Sequence, residues 1–168
     1  MYSAQAKDRF TQVPFARFLG AELVEVEHER AVVALPFQEE NANPGGTLNG
    51  GATASLILLA GTLAAWTGID LQTNPFLSTV DLALQYLSAA INEDVVAEAR
   101  VLRRGRDLFF LDVMVQTPAG KPISKGLMMY RAPHYGGQPM RRHEKPVLLP
   151  PPTPLLPPYP LPEKGKYL

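Results

Sequence analysis

Hydrophobic and polar positions alternate at both ends of this chain's first 131 residues and stop alternating in between. From Ala21 to Glu29, Leu23, Val24 and Val26 stand against Glu22, Glu25 and Glu27, and Val32, Val33 and Leu35 continue through Ala31–Phe37. A period of two puts successive side chains on opposite faces, so the segment predicts a β-hairpin turning near Glu29-Arg30. Between Asn41 and Ile69 no residue is charged, and from Ala52 onward the only polar side chains are those of Ser and Thr, apart from the indole of Trp66. That run predicts one helix ending near Gly68, apolar on every side, which either protein or lipid must surround. Period two then returns in Ser78–Leu87, Asp94–Arg103, Leu108–Thr117 and Pro122–Arg131. In the first of these, Val80, Leu82, Leu84 and Tyr86 fall on one face, with Thr79, Asp81, Ala83 and Gln85 on the other.

The turns Arg104-Gly105-Arg106-Asp107 and Pro118-Ala119-Gly120-Lys121 are short, so the strands they join are antiparallel. The order strand, strand, buried helix, four strands predicts an α+β fold, a curled antiparallel sheet wrapped around one long central apolar helix. Residues 1–20 form an N-terminal arm. Ala4–Thr11 is helical or frayed, and Pro14–Gly20 is a helical turn opened by Pro and closed by Gly, whose Phe and Leu dock on the core as a lid. Gln38–Gly46 is a polar loop leading to the central helix, and Thr73-Asn74-Pro75 connects that helix to the later strands. The domain spans 1–131. Residues 132–168 hold 11 of the 17 prolines, a density that forbids helix and sheet interior and reads as a polyproline-like tail. Leu148, Leu149, Leu155, Leu156, Tyr159 and Leu161 suit the tail either to lie on the domain or a neighbouring subunit, or to serve a proline-reading module.

Composition narrows the function. The 16 basic and 16 acidic residues of the 168 cancel, which removes the field that nucleic-acid binding needs. Cysteine is absent and His28, His134 and His143 share no ligand spacing, so neither a metal nor another cofactor is expected. Met1–Phe10 lacks a secretory apolar run, and together with the missing disulfides this points to the cytoplasm. Ala52–Ile69 approaches the roughly 18 apolar residues of a membrane span. Its wealth of Ala, Gly and Thr, and the half-apolar strands after it that need covering, argue for a buried helix instead.

The candidate chemistry gathers where that helix begins. Asn49 can cap the first turn, Gly50 and Gly51 allow close backbone approach, and unpaired N–H groups there favour an oxygen carrying negative charge. Gly46-Thr47-Leu48-Asn49-Gly50-Gly51, the Ala/Thr/Ser-rich helix, Thr79–Ala90, Ala97–Arg106 and Gly120–Gly126, taken in register, resemble the hotdog-fold thioesterases of the PaaI type over roughly Phe15 to Arg131. The resemblance implies a homodimer, often paired again into a tetramer, with acyl-CoA thioesters hydrolysed at the subunit interface. It implies that the Gly51 N–H stabilises the thioester oxyanion, that Asn43 lies near the same carbonyl, and that Thr79 positions the attacking water. Gly50, Ser55 and Leu58 then line the substrate side of the helix, and Arg103, Arg104 and Arg106 meet a CoA phosphate.

Two departures accompany the resemblance. Asn49 stands where the family has His, and Leu58 where it has the Asp or Glu that activates water. Leucine takes no proton. Ser55 and Thr62, one turn either side of Leu58, can hold a water without deprotonating it. Asp81, on the Thr79 face of its strand, is the nearest replacement carboxylate, with Glu39, Glu40 and Asp70 as looser candidates. Each residue also has a plainer reading. Asn49 is then only a cap, Asp81 only an ion-pair partner and the arginine turn only a solvated hairpin. The functional readings are an acyl-CoA thioesterase with an altered site, an acyl-CoA binder or sensor without a base, and an assembly role in which the tail docks a partner.

Overall fold

The computed structural model describes residues 2–73 and 78–132. Two short helices, α1 (Ser3–Thr11) and α2 (Pro14–Leu19), precede a hairpin of β1 (Glu22–Glu27) and β2 (Arg30–Leu35). A single 3₁₀ turn at Glu39–Asn41 and a two-residue ribbon, β3 (Ala42–Asn43) with β4 (Thr47–Leu48), deliver the chain to α3 (Gly50–Trp66). The remaining strands are β5 (Ser78–Tyr86), β6 (Val95–Arg104), β7 (Leu108–Gln116) and β8 (Pro122–Arg131). Six strands form one sheet in the order β1-β2-β6-β7-β8-β5, every neighbouring pair antiparallel. The expected α+β architecture is therefore present, with α3 packed on one face of the sheet.

Alternation decides what that face offers. Val33 and Leu35 of β2, Ala97 and Ala99 of β6, and Leu111 and Val113 of β7 are buried with Leu56, Ile57, Ala60, Leu63 and Ala64 of α3. Two glycines set the spacing of helix and sheet. A Cβ on Gly126 would lie 2.7 Å from Ile57 Cγ2, and one on Gly61 2.8 Å from Met128 Sδ. A methyl at Gly126 would press on the buried, β-branched Ile57, and one at Gly61 on the end of the flexible Met128.

Among the described residues, α3 is covered most fully on its sheet side. Ala54, Ser55, Leu58, Leu59, Thr62 and Trp66 recur at helical spacing and are half-buried. The described residues thus supply part of the cover that an all-apolar helix requires, on the side where the sheet curls over it. Among the described residues no helix is long and apolar enough to cross a membrane.

Three local expectations need correction. In β5, Thr79 pairs with Tyr130 but Asp81 pairs with Met129, which leaves Val80 as a bulge. Residues directly opposite share a face, so Thr79 sides with the buried Tyr130 and with Leu82 and Leu84, while Asp81 turns to the outer face with Ala83 and Gln85. Thr79 and Asp81 therefore do not share a face. In β6, Leu102 is bulged in the same way, so Arg103 pairs with Phe110 on the outer face and Arg104 with the buried Phe109. In α2 only Leu19 docks as expected. Phe15 and Phe18 are 49% and 85% exposed, because a six-residue helix ending at Gly20 (φ 77°) turns one side alone to the core. The proline-rich tail beyond Ala132, and most of the connection through Asn74-Pro75, lie outside the described residues.

Candidate active site

The start of α3 is held by asparagine. Asn49 adopts an extended conformation (φ −65°, ψ 136°) as the N-cap, and its Oδ1 accepts from the N–H of Gly51 at 2.7 Å and of Ala52 at 3.3 Å. Its Nδ2 donates to Asn43 Oδ1 at 2.6 Å, and its own N–H donates to the Asn41 carbonyl at 2.9 Å. The structure thus joins Asn43, Asn49 and Gly51 in one hydrogen-bonded unit. The Gly51 N–H is occupied by the cap, since the short Asn side chain reaches the second residue of the helix. On the other flank Tyr86 Oη donates to the Gly50 carbonyl at 2.7 Å. A Cβ on Gly50 would stand 3.2 Å from the Tyr86 ring, so this glycine permits the approach.

Beside this unit a groove of about 500 Å³ opens between α2 and α3. Phe15, Phe18 and Leu19 form its apolar wall, the two rings stacked with centroids 6.3 Å apart. Asn49 and Ser55 face it from the helix and Glu40 from the 3₁₀ turn. Leu58, half-buried one turn after Ser55, continues the same helix stripe with no ionisable group. The sequence reading gave neither the aromatic wall nor the placement of Glu40. The one available signal was Pro14 and Gly20 bracketing an amphipathic turn too short to bury both aromatics.

Other nominated residues stand elsewhere. Thr79 and Tyr86 lie seven residues apart on β5, about 23 Å along a strand, so one chain cannot bring Thr79 to its own helix start. Asp81 faces away from α3. The arginines sit at the opposite end of the helix, about 25 Å away by the rise of its 17 residues. There Arg104 Nε lies 3.5 Å from Glu29, its guanidinium covers the Phe109 ring at 4.8 Å, and it rests against Gly68 just past the helix. Arg104 and Arg106 line a second cavity of about 330 Å³ with Asp70. Arg103 lines a third with Arg106, open toward Phe110 on the outer face.

Electrostatic perturbation lies outside the groove. Burial pushes the Tyr130 hydroxyl up to about 12, partly offset by the hydrogen bond it accepts from Trp66 Nε1 at 2.8 Å, so it stays neutral at working pH. The Glu98 carboxyl is held below its usual range by its hydrogen bond from Arg30. Among the described residues no three His, Asp or Glu side chains are grouped to hold a metal ion.

Comparison with known proteins places this geometry. The sequence model of the thioesterase superfamily matches residues 45–123, from the β3–β4 turn to the start of β8. Human acyl-coenzyme A thioesterase 13 is 34% identical over 115 residues, which cover 67% of this chain and 80% of the relative. The crystal structure of zebra fish thioesterase superfamily member 2 superposes with a TM-score of 0.66 at 32% identity, covering 76% of this chain and 94% of that one. The E. coli PaaI protein from the phenylacetic acid degradation operon shares the fold with a TM-score of 0.70 at 16% identity, covering 79% of this chain and 94% of its own.

Proposed function

This chain belongs to the thioesterase superfamily, as a hotdog-fold protein of the PaaI type, and from that premise we propose that it binds and hydrolyses acyl-CoA thioesters in the groove at the start of α3. The groove itself carries the reading. It joins an apolar wall of Phe15, Phe18 and Leu19, suited to an acyl chain, to a polar end at Asn49, Ser55 and Glu40. Asn43, whose Oδ1 already accepts from Asn49, keeps an amide N–H₂ to offer a carbonyl oxygen.

A second copy completes the site in this proposal. β5 ends the sheet, so its outer backbone groups have no partner strand among the described residues. Antiparallel pairing of two β5 strands about Leu82 carries Thr79 of the partner subunit to the Tyr86 and Gly50 end of the first. The same rotation brings the partner's arginine turn toward that end, where a CoA phosphate extends out of the groove. The half-buried stripe of α3 gains cover in such a pair. A CoA substrate sets the work in the cytoplasm.

Thiol release from short, medium, long and aryl acyl-CoAs, measured beside the mass in solution, tests the reading. It expects turnover by a dimer or a dimer of dimers. Absence of turnover across the panel overturns it. A second reading, an acyl-CoA binder without hydrolysis, is favoured by Leu58 and by the cap that occupies the Gly51 N–H at 2.7 Å. Binding of a non-hydrolysable thioether analogue without thiol release from the matching thioester establishes that alternative.

A further inference from the structure

We propose that Glu40 is the general base of this site, taking over the proton transfer that no residue of α3 can perform. The assignment rests on the thioesterase reading above. Position 58 is Leu, Asp81 faces the outer side of the sheet, and Asp70 lines the cavity at the far end of the helix. Glu40 lines the groove that Asn49 and Ser55 also line, and among the described residues no other that lines it is ionisable.

The loop that carries Glu40 is fixed to the helix start. Its neighbour Asn41 is 6% exposed and closes the 3₁₀ turn, with its N–H donating to the Gln38 carbonyl at 3.1 Å. The Asn41 side chain accepts from the Gln38 N–H at 3.1 Å and donates to the Pro36 carbonyl at 3.0 Å. The Asn41 carbonyl then accepts from the N–H of the cap residue Asn49 at 2.9 Å. Glu40 therefore rides on backbone tied directly to the residue that caps α3. A base held this way keeps its position as substrate enters, which proton transfer requires. Its carboxylate takes part in no ion pair or hydrogen bond with another described residue, and it is exposed. The Ser55 hydroxyl, equally uncommitted among the described residues, faces the same space and can hold the water.

The chemistry balances without a further reactant. The Glu40 carboxylate accepts a proton from the water as its oxygen bonds to the thioester carbonyl carbon, and the carbonyl electron pair moves onto oxygen. Asn43 Nδ2 donates to that oxyanion. The tetrahedral centre re-forms its carbonyl and breaks the C–S bond, and the departing thiolate takes the proton back from Glu40. One thioester and one water yield one carboxylic acid and one thiol.

Steady-state thiol release by the full chain and its Glu40→Gln, Glu40→Asp and Glu39→Gln variants tests this, with calorimetric binding of a thioether analogue measured on each. The expected result is a loss of about 10²–10⁴-fold in kcat for Glu40→Gln, analogue binding within about twofold of wild type, and partial recovery in Glu40→Asp. Glu39→Gln, one residue away and outside the groove lining, keeps wild-type turnover. Wild-type turnover with undiminished kcat in Glu40→Gln overturns the assignment and leaves the thioesterase reading standing. Loss of analogue binding together with kcat makes Glu40 a structural residue and equally overturns it. A wild type without turnover on any acyl-CoA removes both.

Discussion

The two ends of α3 are built from opposite materials. At the start, Asn43, Asn49 and Gly51 form a neutral hydrogen-bonded cap beside an apolar groove, and a single carboxylate approaches from a loop. At the finish, Arg104 meets Glu29 and the Phe109 ring, and Arg104 and Arg106 line a smaller cavity with Asp70. The helix dipole accounts for half of this contrast, since a cation is favoured by the C-terminal carbonyls. In this chain Arg104 rests against Gly68 at the end of its own helix, and the nearly uncharged start borders the larger groove, about 500 Å³ against about 330 Å³.

Breaking the strut between the ends has the largest expected effect on stability. Gly126→Ala forces Ile57 aside from a virtual contact of 2.7 Å, and overpacking of this kind costs about 1–3 kcal/mol, read as a fall in Tm. Gly61→Ala meets the flexible Met128 instead and should cost less, so the order of the two Tm values checks the packing. Asn49→Ala removes the cap and should cost about 1 kcal/mol in denaturant unfolding while freeing the Gly51 N–H. Arg104→Met keeps the aliphatic stem and loses an ion pair about one-third exposed on each side, together with a ring contact and a dipole interaction. Its expected cost is below about 1 kcal/mol, because exposed pairs are worth little.

The smallest effect lies away from both ends. Arg30 ties β1 to β6 through Glu25 and Glu98, each at 2.7 Å, and holds the Glu98 carboxyl below its unfolded value of 4.5. A depressed carboxyl stabilises the fold above its unfolded pKa and loses that contribution as pH falls through the folded one. Urea unfolding of the wild type should therefore weaken on acidification below about pH 5, and Arg30→Met should flatten that slope. Equal slopes in the two proteins contradict the assignment. Glu98 is one-third exposed, so solvent screening keeps the effect small.

Much of the architecture was legible because its signals are local. Alternation marked the hairpin and the later strands, and an uncharged run bounded by Asn49 and Gly68 marked the central helix. The errors arose where one residue changes the count. The bulges at Val80 and Leu102 insert a position into an otherwise regular alternation, and nothing in the side-chain pattern announces them. The first moved Thr79 to the inner face, away from Asp81, and the second turned Arg103 outward and Arg104 inward. Asn49 was readable as a cap, since its side chain and the helix start are neighbours in sequence. The groove was not, because it depends on α2, the 3₁₀ turn and α3 meeting across more than thirty residues of chain.

The claim that the groove at the start of α3 receives the acyl group is tested most directly at Phe18, which is 85% exposed and so contributes little to folding. Calorimetric binding of a thioether analogue of a medium-chain acyl-CoA should weaken by about tenfold in Phe18→Ala with Tm unchanged, given the apolar area that an aromatic wall removes from water. Unaltered affinity in that variant, with the wild type binding the analogue, would contradict the account and place the acyl group elsewhere.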